Sequence, residues 1–327
     1  MPGPVTLLST LTNVQSTSTI NEATAATAAT TPPVSDSRTW NRAFGDIRQG
    51  FRSRELWGHL GWQDIKQRYR RSVIGPFWIS IATGTMALGL GFLYSALFEM
   101  KVQTFLPYIT AGFIIWQFIL GCVTEGAETF ISNEGVMKHL PAPLTVYALR
   151  TVWRQILLLA HNMIIYAIIL VIFLGTLGSE YKMAKTDPAT GDTPGTLHPG
   201  ISFDMLLAIP GFVMLVVTGV WVALLFGVIS ARFRDIPQVI QSLVQLVFYV
   251  TPIIWTPDLL GQRGAAISQA AVQFNPLYHY VQVVRAPLLG QHVDWWSWLV
   301  VLGLSAIGWG LALIALKNYR SRVSYWV

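Results

Sequence analysis

Cysteine is almost missing from this chain of 327 residues, Cys122 being the single one. That excludes an intrachain disulfide and a cysteine-rich metal site, and leaves Cys122 as packing inside an apolar segment. Charge is sparse as well, at 12% Asp, Glu, Lys and Arg. The dipeptide Gly-Lys never occurs, so a phosphate-binding loop of the G-x-x-x-x-G-K-[ST] kind is excluded. An ATPase that powered this chain would be a separate subunit. The first 37 residues hold no Lys or Arg and are mostly Thr, Ala and Ser. They can neither bury a core nor act as a secretory signal, whose leading region is basic, and residues 1–45 are read as a disordered cytoplasmic tail.

What the chain has in quantity is apolar surface: 53% hydrophobic residues and a mean hydropathy of +0.49, too apolar for an ordinary soluble fold of this length. The reading is an all-α integral membrane protein. Six stretches approach the roughly 20 residues that a span requires. They are about Pro76–Phe98, Leu106–Thr124, Val146–Gly175, Phe203–Ile229, Ile236–Trp255 and Trp296–Leu316. With the N-terminus inside, 17 of the 22 Lys and Arg residues fall in cytoplasmic segments. Only Lys101, Lys182, Lys185, Arg263 and Arg285 fall outside. Basic loops stay cytoplasmic, so both termini are expected there.

Just before the first span, "DIKQRYRRSVIGPFW" gathers Lys66, Arg68, Arg70 and Arg71. Leu56, Leu60, Trp62, Ile65 and Tyr69 recur upstream at helical spacing, which predicts an amphipathic helix in the membrane interface, with its cations among anionic headgroups. Gly75 and Pro76 end it. Residues 46–75 are therefore an interfacial unit and residues 76–327 the six-span domain. Between the third and fourth spans, residues 179–200 form a polar loop rich in Pro and Gly.

The first, second, fifth and sixth spans carry no charge between their ends, where an ion-driven carrier would need one. His161 and Asn162 are the main polar residues deep in a span and are read as hydrogen-bonding across helices. After the second span, "EGAETFISNEGVMKHLPAPLTVYALR" is too polar to cross and opens with a short amphipathic pattern around Phe130, Ile131 and Val136. A short surface helix of this kind can lie in a groove on a partner domain.

Taken in order, "DIKQRYRRSVIGPFW", "ISNEGVMKHLPAPLTVYALRTVWRQ", "AHN", "ARFRDIPQVIQSLVQLVFYVTPIIW" and "FNPLYHYVQVVRAPLLG" resemble the membrane subunit of type-2 ABC transporters, in particular those exporting O-antigen and related cell-surface polysaccharides. The resemblance runs from about Leu56 to the C-terminus. It implies a homodimer of six-helix permease subunits in the plasma membrane, paired with two copies of a cytoplasmic ABC ATPase. ATP and Mg would be bound by that ATPase, and no cofactor or metal by this chain. The cargo would be a glycan on a polyprenyl diphosphate; nucleic acid is not an expected partner.

Several roles follow from the resemblance. Leu56–Arg71 matches a cytoplasmic gate helix, at which Lys66, Arg68, Arg70 and Arg71 would meet the lipid diphosphate. Glu128–Lys138 matches the coupling helix, with Glu128, Phe130, Asn133, Glu134 and Lys138 at the ATPase contact. Leu259–Gln291 corresponds to re-entrant helices at the outer mouth, and its apolar stretch of roughly 14 residues is too short to cross. Arg285 there would either guide a diphosphate headgroup or snorkel to water. Sugars present apolar C–H faces to aromatic rings, so Phe92, Tyr94, Phe98, Phe248, Tyr249 and Trp255 are the expected substrate path. The alternative reading is an integral membrane glycosyltransferase or lipid-processing enzyme, with Glu125, Glu128 and Glu134 as its acidic group.

Overall fold

A computed structural model describes residues 38–70, 72–75, 77–98, 100–139, 142–173, 181–182, 196–197, 203–257, 270 and 272–327. Arg71, most of the 179–200 loop and residues 258–269 lie outside them. The expectations for Arg71 and the first part of the re-entrant segment fall there too.

The described chain is almost wholly helical: α1 Trp40–Arg52, α2 Arg54–Arg68, α3 Phe77–Leu97, α4 Val102–Ala127, α5 Glu134–His139, α6 Leu144–Ile172, α7 Ala208–Arg232, α8 Ile236–Val250, α9 Pro276–Leu288 and α10 Trp295–Trp326. Tyr181–Lys182 pairs antiparallel with Thr196–Leu197 in a two-residue clip. Five helices are long and apolar enough to cross a membrane: α3, α4, α6, α7 with its leading turn from Phe203, and α10. All six expected spans contain a helix, but the fifth is shorter than its hydropathy suggests. Helix α8 has 15 residues, about 22 Å, against roughly 30 Å of hydrocarbon. It stops because Thr251 precedes Pro252, and a residue before proline is driven out of the helical region; Thr251 has ψ 131°.

Helix α4 sits at the centre, with 78% of its most apolar stretch buried against 28% for α3 and for α6. Small residues let its neighbours approach. A Cβ on Gly126 would meet the Ala223 Cα at 3.0 Å, and one on Gly219 would meet the Cys122 Sγ at 2.9 Å. Close packing of this kind is how helices associate where lipid gives no hydrophobic drive. Cys122 is indeed core packing, 3% exposed.

Two N-terminal helices replace the single interfacial one. Residues 40–45, read as tail, already belong to α1. Here α1 is the amphipathic element: Trp40, Phe44 and Phe51 share an exposed face, while Ala43, Asp46 and Gly50 are buried. Helix α2 instead docks on α6 along Trp57, Gly61, Asp64 and Ile65. The Trp57 ring meets Trp153 edge-on at 5.7 Å, and Gly61 sits over the Arg150 carbonyl. Of the apolar row Leu56, Leu60, Trp62, Ile65 and Tyr69 expected to face the interface, Ile65 is instead buried in this contact while Trp62 is exposed. The sequence pattern misses the register because one of the key contacts is a glycine and another a charge.

Candidate functional site

A span must bury or pair every polar group it carries, and this chain does so differently at its two ends. At the end where α1, α2, α5 and the tail of α10 meet, carboxylates bind guanidinium groups in a network. Asp64 of α2 accepts from Arg150 Nε at 2.9 Å and Nη2 at 2.6 Å, and from Arg154 Nη1 at 2.9 Å. Arg154 also donates to Glu125 at 2.6 Å and 3.0 Å, and Gln155 Nε2 donates to the same Glu125 oxygen at 2.6 Å. Burial would raise the Asp64 carboxyl, but the hydrogen bonds and charges of Arg150 and Arg154 outweigh it and hold it below the usual aspartate value.

The third arm of Arg150 reaches the segment after α4. Its Nη1 donates to Asn133 Oδ1 at 2.7 Å, while Asn133 Nδ2 donates to the Thr129 carbonyl at 2.7 Å. One guanidinium thus ties α2 to the turn that opens α5. Within that segment the expected coupling residues divide. Phe130 is fully buried, its ring pressed where a Cβ on Gly227 would come within 2.9 Å, and so anchors the segment instead of touching a partner. Asn133 is buried as well. Glu128 is exposed, and Glu134 and Lys138 pair with each other at 2.6 Å at the surface. The surface open to a partner is Glu128, Ser132, Gly135, Val136, Lys138 and His139.

A second anchor was invisible in the sequence. Asp46 of α1, 1% exposed, accepts from the backbone N–H of Leu144 at 3.1 Å and of Thr145 at 3.0 Å, and from the Thr145 hydroxyl at 2.8 Å. It caps the N-terminus of α6 from another helix, where the dipole favours a negative charge. Arg320 of α10 donates to its other side at 2.7 Å. The expected gate cations are freer. Lys66 lies 5.7 Å over the Trp62 ring, Arg68 is 3.6 Å from Glu125, and Arg70 is exposed with no ion pair among the described residues.

The opposite end is held by aromatic rings and by Arg285. That residue neither snorkels nor faces outward: it is 1% exposed, donates to the Pro252 carbonyl at 2.7 Å and to Gln282 at 3.0 Å, and lies 4.2 Å over the Tyr108 ring. Where α8 ends early, its unwound carbonyls need donors in place of water. Arg285, together with the Tyr108 hydroxyl at 3.4 Å, supplies them.

Between the ends, two hollows open along one face of α4. One, of about 470 Å³, lies among α3, α4 and α6. The other, of about 360 Å³, lies between α4 and α8. They share Phe113, Gln117 and Leu120. Of the expected path residues, Phe248 and Tyr249 line the second hollow. Tyr94 and Phe98 are stacked together at 5.4 Å, and Phe98 meets Phe105 edge-on instead. Phe92 is exposed on α3, and Trp255 donates to the Tyr249 carbonyl at 3.2 Å. The expected path thus falls into two groups. The amides of Gln117, Gln155, Gln241 and Gln245 also line the hollows and carry no signal in the sequence beside its rings and charges. Asn162 and His161, expected to hydrogen-bond across helices, do otherwise. Asn162 lines the first hollow with an Oδ1 that accepts no hydrogen bond among the described residues, and His161 Nδ1 lies 2.7 Å from the Leu157 carbonyl of its own helix.

The acids of the alternative reading do not converge: Glu125 is taken up by Arg154 and Gln155, Glu134 by Lys138. Comparison with known proteins agrees with the exporter resemblance. The family model described as ABC-2 type transporter matches residues 55–289. One O-antigen export system permease protein RfbA from Klebsiella pneumoniae is 23% identical over 261 residues, covering 79% of this chain and 90% of the relative. A second from the same organism is 22% identical over 215 residues, covering 66% and 73%. By its sequence and its apolar helices, this multi-pass membrane protein belongs to the ABC-2 type transporter family.

Proposed function

We propose that the chain is the transmembrane subunit of an ATP-driven exporter that moves a lipid-linked cell-surface polysaccharide outward across the plasma membrane. It works as a homodimer with two copies of a cytoplasmic ABC ATPase, which bind ATP and Mg. The similarity to the two O-antigen permeases supports the cargo class. Cytoplasmic termini are supported by the meeting of α1, α2, α5 and the end of α10 at the end that also holds most of the Lys and Arg residues. The long apolar rows left open on α3 and α8 suit a second copy.

The observation that carries this reading is Arg150. By holding Asp64 and Asn133 together, it joins the helix beside the entrance to the segment that would dock on an ATPase. A push on α5 reaches α2 through a rigid bidentate contact instead of through a loop. The test is co-expression with its ABC ATPase in cells making the glycan. Surface glycan should appear only with a hydrolysing ATPase. Export without nucleotide hydrolysis, or sugar transfer by the purified chain alone, overturns the reading.

A further inference from the structure

The hollow among α3, α4 and α6 is polar without being charged. Trp78, Met86 and Phe113 line it beside the amides of Gln117, Gln155 and Asn162. Its one ionisable wall residue, Glu125, spends an oxygen on Arg154 and Gln155, so little field reaches a ligand. Gly121 keeps the Gln155 amide against α4: a Cβ there would overlap it. Asn162 is 4% exposed, yet its Oδ1 accepts no hydrogen bond among the described residues. A buried acceptor left unpaired is unfavourable, and a ligand hydroxyl would satisfy it.

From these observations we infer that Gln117, Gln155 and Asn162 form a binding subsite for uncharged sugar units, with Trp78 and Phe113 receiving the C–H faces. Amides both donate and accept, matching hydroxyl groups, while rings take the apolar faces of a pyranose. A phosphate or a uronate would find no cation on these walls, so the subsite discriminates by neutrality. Through Phe113, Gln117 and Leu120 it continues into the α4–α8 hollow, where Gln241 and Gln245 repeat the chemistry beside Phe248 and Tyr249. The inference rests on the exporter reading and adds which residues touch the glycan and which glycans they accept.

The test uses the full-length chain in lipid nanodiscs with three amphiphiles of equal tail length, each carrying a diazirine at its head: an alkyl maltoside, an alkyl glucuronide and a bare alkyl alcohol. Labelled peptides are mapped by mass spectrometry. The maltoside should label α3, α4 and α6 around Thr83, Gln117 and Asn162 at least tenfold more than the other two. Asn162→Leu together with Gln117→Leu should abolish that preference while leaving labelling of the exposed α3 face around Phe92 unchanged, which shows that the variant is folded. Losing two hydrogen bonds of ordinary strength corresponds to about tenfold or more. Equal labelling by glucuronide or alcohol overturns the inference, as does a preference that survives the double substitution. If export with the ATPase proceeds while the maltoside fails to label here, the exporter reading stands and this subsite falls. If the maltoside labels but no export occurs, the reverse holds.

Discussion

The two polar regions of this molecule solve the same problem in opposite ways. At the end where α1, α2 and α5 meet, polarity is full charge and each buried carboxylate is matched: Asp64 by two arginines, Asp46 by Arg320 and a helix N-terminus. In the hollows along α4, polarity is mostly amide, the one lining carboxylate, Glu125, being taken up by Arg154 and Gln155, and part of it is unmatched at Asn162. Ion pairs out of water are stable only with good geometry and fail together when a partner is lost, which suits a joint that must hold its shape. Amides tolerate several partners in succession, which suits a surface along which a polymer slides. Rigidity and permissiveness are thus separated along the helix axes.

Substitutions that break the charged joint should have the largest effects. Asp46→Ala removes a cap and leaves Arg320 unpaired. Because Arg320 keeps partial access to water, we expect about 3 kcal/mol of destabilisation, read as a fall in thermal stability in detergent and in membrane yield, with Asp46→Asn recovering part of both.

Next comes Arg150→Met, which leaves Asp64 one guanidinium instead of two. We expect ATP hydrolysis by the assembled complex to persist at half or more of its normal rate while glycan export falls about tenfold or more. The α2–α6 distance, followed by paired spin labels, should broaden. Unchanged export would separate the joint from coupling.

On the permissive side effects should be graded. Tyr249→Ala should slow export severalfold and spare hydrolysis, whereas Tyr249→Phe should keep most of the rate, since the ring face makes the contact; a stacking ring contributes about 0.5–1.5 kcal/mol. Arg70→Gln with Arg71→Gln should cost about 1 kcal/mol each in attraction to anionic lipid and lower export less than twofold in neutral bilayers. Smallest is the response to pH. The Asp64 carboxyl lies below its ordinary value of 3.8, so its contribution to α2 docking is complete above that value and is lost only as pH falls through the lower, folded-state value. Trp57 and Trp153 fluorescence should therefore be flat from neutral pH down to about that point and change below it.

The spans were legible because a bilayer demands long apolar runs and little else in the sequence can produce them. The short helix α9 was legible for the complementary reason, and Asn275 capping Leu277 with Pro276 behind it is a local signal. Legibility failed where the deciding partner lies far along the chain. Asp46 caps a helix about a hundred residues away, and nothing near it distinguishes it from a solvated acid. Phe130 sits in a polar segment but packs on Gly227, so a pattern of neighbours placed it at the surface. Helix α8 looked long enough to span because hydropathy does not register the restriction that Pro252 imposes on Thr251. Arg285 was read as exposed since a lone arginine in an apolar stretch usually is; its carbonyl partner exists only because α8 stops early.

The cap by Asp46 also sets an order of assembly. Its residue is synthesised before the five described helices long enough to cross a membrane, the helix it caps about a hundred residues later, and Arg320 only 274 positions downstream. Until α10 has been made, Asp46 has the N-terminus of α6 but lacks the guanidinium that offsets its charge, and closing so long a loop adds an entropic cost. The joint at α1 is therefore completed only when α10 is in place, so a chain that has lost its last helix keeps a less firmly held α1 that an added protease can recognise.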